Sequence, residues 1–173
     1  MIVKPNRENF IKDNFFEFSF KDEKPDFEKF KTLNSTELHY LADIYNWDDG
    51  VEILFWIINS DKCDKGTALM IFWRAVPDYY LEKDENELQF YEKENYQLLK
   101  EIIASFKSNK YKKSKIKYNP NSDFEVNTDQ VLKWDIPKEM IQPTRGFKPV
   151  YLGTALNVLK KQYRRSKNRK HRK

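Results

Sequence analysis

The sequence predicts a mainly α-helical protein, a compact stack of antiparallel helix pairs with at most a minor β-hairpin. Three observations predict it. Residues 34–80 hold three consecutive helix patterns, each with its own start signal, together with three of the four tryptophans. A longer helical pattern follows at once. A length of 173 residues is enough for one sizeable core and demands no second domain, so residues 1–159 are expected to form a single body ahead of a basic tail at 160–173.

Taken in order, residues 7–33 concentrate phenylalanine. Phe16, Phe18 and Phe20 alternate with polar residues, which predicts a short half-buried strand, and Phe27, Phe30 and Leu33 after Pro25 predict a short helix. The first helix of the central block should begin at Asn34, whose side chain can cap a free backbone N–H while Glu37 reciprocates, with Leu38, Leu41, Ala42 and Tyr45 as its apolar stripe. The run Asn46-Trp47-Asp48-Asp49-Gly50 breaks that stripe. Asp49 with Glu52 then predicts a second helix whose inner face is Val51, Leu54, Phe55 and Ile58. A third, starting at Asp64 or Thr67, should bury Leu69, Met70, Phe72 and Trp73 and end before Pro77.

The long helix is expected from Asp84, with Glu87 as capping partner, to about Lys107. Alternation at Ile116 and Tyr118, a turn at Asn119-Pro120-Asn121, and renewed alternation at Phe124 and Val126 predict a small hairpin within 109–127. Residues 134–149 carry three prolines and a glycine, which predicts irregular chain with one helical turn at 137–141. Leu152, Leu156, Leu159 and Tyr163 recur at helical spacing and lead into the tail. The tetrapeptide Gly66-Thr67-Ala68-Leu69 recurs as Gly153-Thr154-Ala155-Leu156, each time opening a helical pattern. Small residues at a helix start let another segment approach closely, and helix pairs joined by short turns are the units of stacked architectures.

Charge is distributed unevenly. Residues 160–173 hold nine bases and no acid, which leaves 23 bases against 27 acids in the rest of the chain. That tail (Lys160, Lys161, Arg164, Arg165, Lys167, Arg169, Lys170, Arg172, Lys173) is the segment with a physical claim on phosphates, where binding would come largely from counterion release and carry little sequence preference. Cys63 stands alone, so no internal disulfide is expected and a reducing, cytoplasmic setting follows. Met1–Phe16 lacks the apolar core of a signal peptide. The longest apolar run, Ile53–Ile58, is far below the roughly 20 residues of a membrane span, and no membrane contact is expected.

Candidate chemistry is sparse. Asp43, Asp48, Asp49 and Glu52 fall within ten residues, and paired acids can act as general acid and base when burial separates their pKa values. Asp48 and Asp49, however, stand where a helix start favours a cap and a negative charge. Asp61 and Asp64 read the same way. Cys63 would need a cationic or histidine partner to become nucleophilic, and His39, expected at a surface or boundary position of its helix, is a poor match. No metal-ligand spacing or phosphate-binding glycine loop is present, so no catalytic residue, metal or cofactor is assigned.

Glu37-Leu38-His39-Tyr40-Leu41-Ala42, then Tyr45-Asn46-Trp47-Asp48-Asp49-Gly50, then Cys63-Asp64-Lys65-Gly66-Thr67-Ala68-Leu69 resemble a small bacterial family known as domain of unknown function 4274, over about residues 36–80. The resemblance implies a compact helical unit of bacterial origin and brings no activity and no assigned residues. By analogy, small bacterial proteins of this sort are candidates for immunity partners of toxins. The expectation is therefore a non-enzymatic protein-interaction module whose partner, a basic toxin, meets an acidic and aromatic surface at Trp47, Asp48, Asp49 and Asp61. The alternative is a nucleic-acid-associated protein acting through the tail.

Overall fold

The computed structural model describes residues 1–17, 24–80, 83–122 and 134–170, with side chains of the last helix described as far as Gln162. Its elements in chain order are β1 (Ile2–Val3), α1 (Pro5–Phe15), α2 (Phe27–Lys31), α3 (Ser35–Ile44), α4 (Glu52–Asn59), α5 (Lys65–Arg74), α6 (Phe90–Lys107), β2 (Val150–Tyr151) and α7 (Leu152–Lys170). The protein is mainly helical, as its sequence predicts.

The central block forms as expected where capping chemistry is local. Asn34 Oδ1 accepts from the N–H groups of Thr36 and Glu37, and Glu37 returns a bond to Asn34 N at 2.9 Å, a complete capping box. Asp64 caps α5 through Gly66 N at 2.9 Å. The helix α2 is capped by Asp26. Helices α3, α4 and α5 pack on one another, and α6 closes over α4 and α5. Leu41, Leu54, Ile57, Leu69 and Phe72 are wholly buried at their junction.

Several expectations are corrected. Asp49 does not cap α4; the cap position is Val51, which offers no side-chain bond, while Asp48 and Asp49 lie in a separate 3-10 turn capped by Asn46. Phe55 is not an inner residue. In α4 the buried face is Ile53, Leu54, Ile57 and Ile58, which leaves Phe55 and Trp56 half-buried on the flank. Asp84 caps only a 3-10 turn at Glu85–Glu87, and α6 starts five residues later behind a Gln89–Glu92 capping box. The strand at Phe16–Phe20 lies largely outside the described residues, as do Phe124 and Val126. The second limb of the expected hairpin therefore lies outside the described residues; in the first, Ile116 makes a parallel bridge to Phe147, and the sole sheet among the described residues is the parallel pair β1–β2. The turn at 137–141 appears as a 3-10 helix at Lys138–Ile141.

Helix α1 was not expected. Pro5 occupies its first turn, where a missing N–H costs nothing, and Glu8, Ile11 and Phe15 fall on its inner face against α3. It also packs against α7.

Two buried carboxylates tie the C-terminal half to this core. Asp64, 1 % exposed, accepts from Lys115 N at 2.7 Å and Ile116 N at 3.2 Å besides Gly66 N. Burial pushes its carboxyl above the usual range, and the three backbone donors pull it back. Glu8, 2 % exposed, accepts from Gly153 N at 2.6 Å, Thr154 N at 3.0 Å and Thr154 Oγ1 at 2.9 Å, and so caps α7 from a different helix. The repeated Gly-Thr-Ala-Leu thus opens a helix both times, each time under a carboxylate. The close approach is real at both glycines: a Cβ would lie 2.3 Å from Ile116 O at Gly66 and 2.9 Å from Glu8 Oε2 at Gly153.

Candidate functional site

Helix α4 presents its flank to solvent between two depressions that share Phe55 and Trp56 as a common wall. The first, a groove of about 460 Å³, runs between α2 and the C-terminal end of α4 and is floored by Phe27 and Phe30. Trp56 meets both rings edge-on, at centroid distances of 4.9 Å to Phe27 and 5.4 Å to Phe30. Phe27 remains 47 % exposed, so this cluster is not sealed core. Asp61 stands at its edge with Lys31 and Lys62. Both cations are engaged: Lys31 pairs with Glu28 at 2.6 Å, and Lys62 Nζ donates to the carbonyls of Lys31 and Leu33.

The second depression, about 510 Å³, lies at the N-terminal end of α4. Among the described residues, Asp49, Glu52 and Glu94 line it and no basic residue does. The buried Tyr45 phenol registers that field; burial first, then the charges of Asp49 and Glu52, push its pKa well up. Tyr45 also donates to Gly50 O at 3.0 Å, which fixes the loop carrying these acids.

The residues picked out by sequence are therefore only partly together. Asp49 and Asp61 line adjoining depressions at opposite ends of α4, about 12 Å apart by helical rise. Trp47, half-buried and edge-on to Tyr45 at 6.4 Å, and the exposed Asp48 line neither of the two. Glu52, weighed from sequence only as a candidate acid, completes the surface with Phe27, Trp56 and Glu94, which sequence reasoning did not single out as site residues. The signal for Trp56 was legible: it falls off the 53-54-57-58 stripe. That for Glu94 was not, because α6 meets α4 only in the fold.

Cys63 is buried, and burial, then Asp64, raises its thiol far above ordinary values, which leaves no thiolate for chemistry. His39 is buried rather than at a boundary. Its Nδ1 sits 3.1 Å from Thr67 Oγ1, and burial lowers its pKa to about 4, with Asp43 opposing and Arg74 adding to the shift. Asp43 is held by Arg74 at 2.8 Å. In the tail, Lys160 and Lys161 are exposed on α7; Arg164, Arg165, Lys167, Arg169 and Lys170 lie on the same helix, and Arg172 and Lys173 lie outside the described residues. Among the described residues no helix is long and apolar enough to cross a membrane.

These features define a helical protein with an acid-rimmed aromatic flank and a basic C-terminal helix. Residues 33–106 match the family described as Domain of unknown function (DUF4274), so the family resemblance extends beyond the motif segment through α6. No curated protein matches the chain, and no solved structure does.

Proposed function

We infer that this protein is a non-enzymatic interaction module that binds a basic protein partner through the flank of α4, in the manner of an immunity protein neutralising a toxin. The observation that carries the reading is the shared Phe55–Trp56 wall, with exposed aromatic surface on one side and a lining that holds the carboxylates of Asp49, Glu52 and Glu94 on the other. An arginine or lysine of the partner entering beside Asp49, Glu52 and Glu94 would meet Coulomb attraction and the Trp56 ring together, while an apolar side chain would fill the groove at Phe27. Complementary charge of this kind speeds encounter and fixes register.

Glu52 and Glu94 are exposed, so Glu52→Lys with Glu94→Lys leaves the melting temperature within a few degrees. Nuclease-treated lysate passed over wild type and variant side by side is the test. A stoichiometric basic protein retained by wild type and weakened at least tenfold, about 1.4 kcal/mol, in the variant supports the reading. Equal retention by both removes it. The continuity of the basic segment with α7, helical through Lys170, supports a second reading, nucleic-acid contact through the tail. There, nuclease-sensitive material is held by the full chain and lost by a chain ending at Leu159.

A further inference from the structure

A polar cavity of about 470 Å³ is lined by residues of α3 and α5, and none of its lining residues belongs to the α4 flank. Its inner wall comes from two helices of the family-matched segment, each contributing residues one turn apart: His39 and Asp43 on α3, Met70 and Arg74 on α5. Its rim comes from outside that segment. The Ile116–Phe147 bridge, extended by Lys117 N donating to Phe147 O at 3.1 Å, brings Lys117 and Lys148 to the same mouth, and Tyr118 and Tyr151 line the space between.

We propose that this cavity binds a small phosphate monoester carrying a flat ring, of the size of a nucleoside monophosphate. Among the described lining residues, Arg74, Lys117 and Lys148 face one carboxylate, Asp43, so that lining carries a surplus of two positive charges on a body that is otherwise acidic. That surplus matches the charge of about −1.5 to −2 on a phosphate monoester at neutral pH. Arg74 is held in one orientation by Asp43, through Nη2 to Oδ1 at 2.8 Å and Nη1 to the backbone carbonyl at 3.0 Å, which pre-organises its guanidinium. Lys117 and Lys148 make no ion pair among the described residues and supply the mobile part of the clamp.

The cavity lies within the range of about 300–1,000 Å³ that takes whole small molecules, which is much more than a bare anion fills. Two phenol rings and the Met70 thioether give the rest of the ligand a flat, polarizable wall. His39, neutral and fixed through Nδ1 by Thr67, has Nε2 left to hydrogen-bond a polar edge.

Calorimetric titration of the full-length protein with the four common ribonucleoside 5′-monophosphates, the matching nucleosides and inorganic phosphate tests this. The expected result is binding of at least one monophosphate, at least tenfold tighter than its nucleoside and than inorganic phosphate. In Lys117→Ala/Lys148→Ala that affinity drops at least tenfold while the melting temperature holds, because both amines are exposed. No binding of any monophosphate at millimolar concentration overturns the proposal. So does affinity unchanged in the double variant, which would place the nucleotide on the basic tail, and so does inorganic phosphate binding as tightly as the esters. Each single lysine variant is expected to show an intermediate loss, and the absence of loss in both overturns the clamp.

Discussion

The family-matched segment at 33–106 and the chain after it are built by different physics. In the first, α3 and α5 are each started by a residue next to them in sequence, Asn34 and Asp64, and stability resides in a buried apolar face. In the second, the described residues of 109–122 and 134–151 contain little regular structure and lie on the core through bonds that cross large sequence distances. Asp64 accepts from Lys115 and Ile116, Trp73 Nε1 donates to Met140 O at 2.9 Å, and Thr144 Oγ1 bridges Tyr118 N and Ile116 O at 2.8 Å each. Helix α7 depends on Glu8, 145 residues earlier. The lesson is that a short, locally coded helical unit can carry a long irregular extension when a few buried carboxylates collect its backbone N–H groups.

Breaking the seam should have the largest effect. Asp64→Ala strands three donors, at Gly66, Lys115 and Ile116, in a site that water does not reach, and a loss of about 3–5 kcal/mol is expected by urea denaturation. Hydrogen exchange should show residues 113–118 losing protection while α4 keeps it. Uniform loss across both regions would show that the two are one cooperative unit.

Acid should act on the junction next. The pKa of His39, about 4 in the folded protein against an ordinary 6.5, means that the unfolded chain takes up a proton between those values that the folded chain refuses. Stability from this group is therefore full above about pH 6.5 and is lost as pH falls toward 4, by about 3 kcal/mol in total. Comparison with His39→Gln isolates it from the carboxylates: the variant's stability should depend less steeply on pH between 6.5 and 4, and parallel curves would show that His39 titrates normally.

The smallest effect belongs to the locally coded region. Asn34→Ala removes one half of the α3 capping box and should cost about 1 kcal/mol in thermal or urea melts, with no change in exchange at residues 113–118 or 153–156. A loss as large as that of Asp64→Ala would erase the distinction between the two regions.

How much was legible follows the same division. The starts of α3 and α5 and the end of α6 were readable because capping and apolar periodicity act within one or two turns. The flank of α4 was half readable: its acids and rings stand in sequence, but Phe55 was assigned inward because the stripes 51-54-55-58 and 53-54-57-58 share two positions, although their centres differ by about 80° around the helix. The start of α6 slipped because Asp84-Glu87 and Gln89-Glu92 are both capping signals, and the first was used by a 3-10 turn. Only the first limb of the expected hairpin lies within the described residues, and there alternation indicates a strand-like segment without naming a partner, which for Ile116 includes Phe147.

The sequence by itself determined a helical body, the faces that α3 and α5 bury, an acidic body with a basic end, and a family-like core. Tertiary structure alone decided that Glu8 caps α7, that β1 lies beside β2, that Glu94 joins Asp49 and Glu52, and that Lys117 and Lys148 stand over His39 and Arg74. The physical reason is range. Capping and helical periodicity are interactions between residues a few positions apart and leave their pattern in order, whereas a charge cluster drawn from several elements depends on how their buried faces pack, and packing has no fixed spacing along the chain.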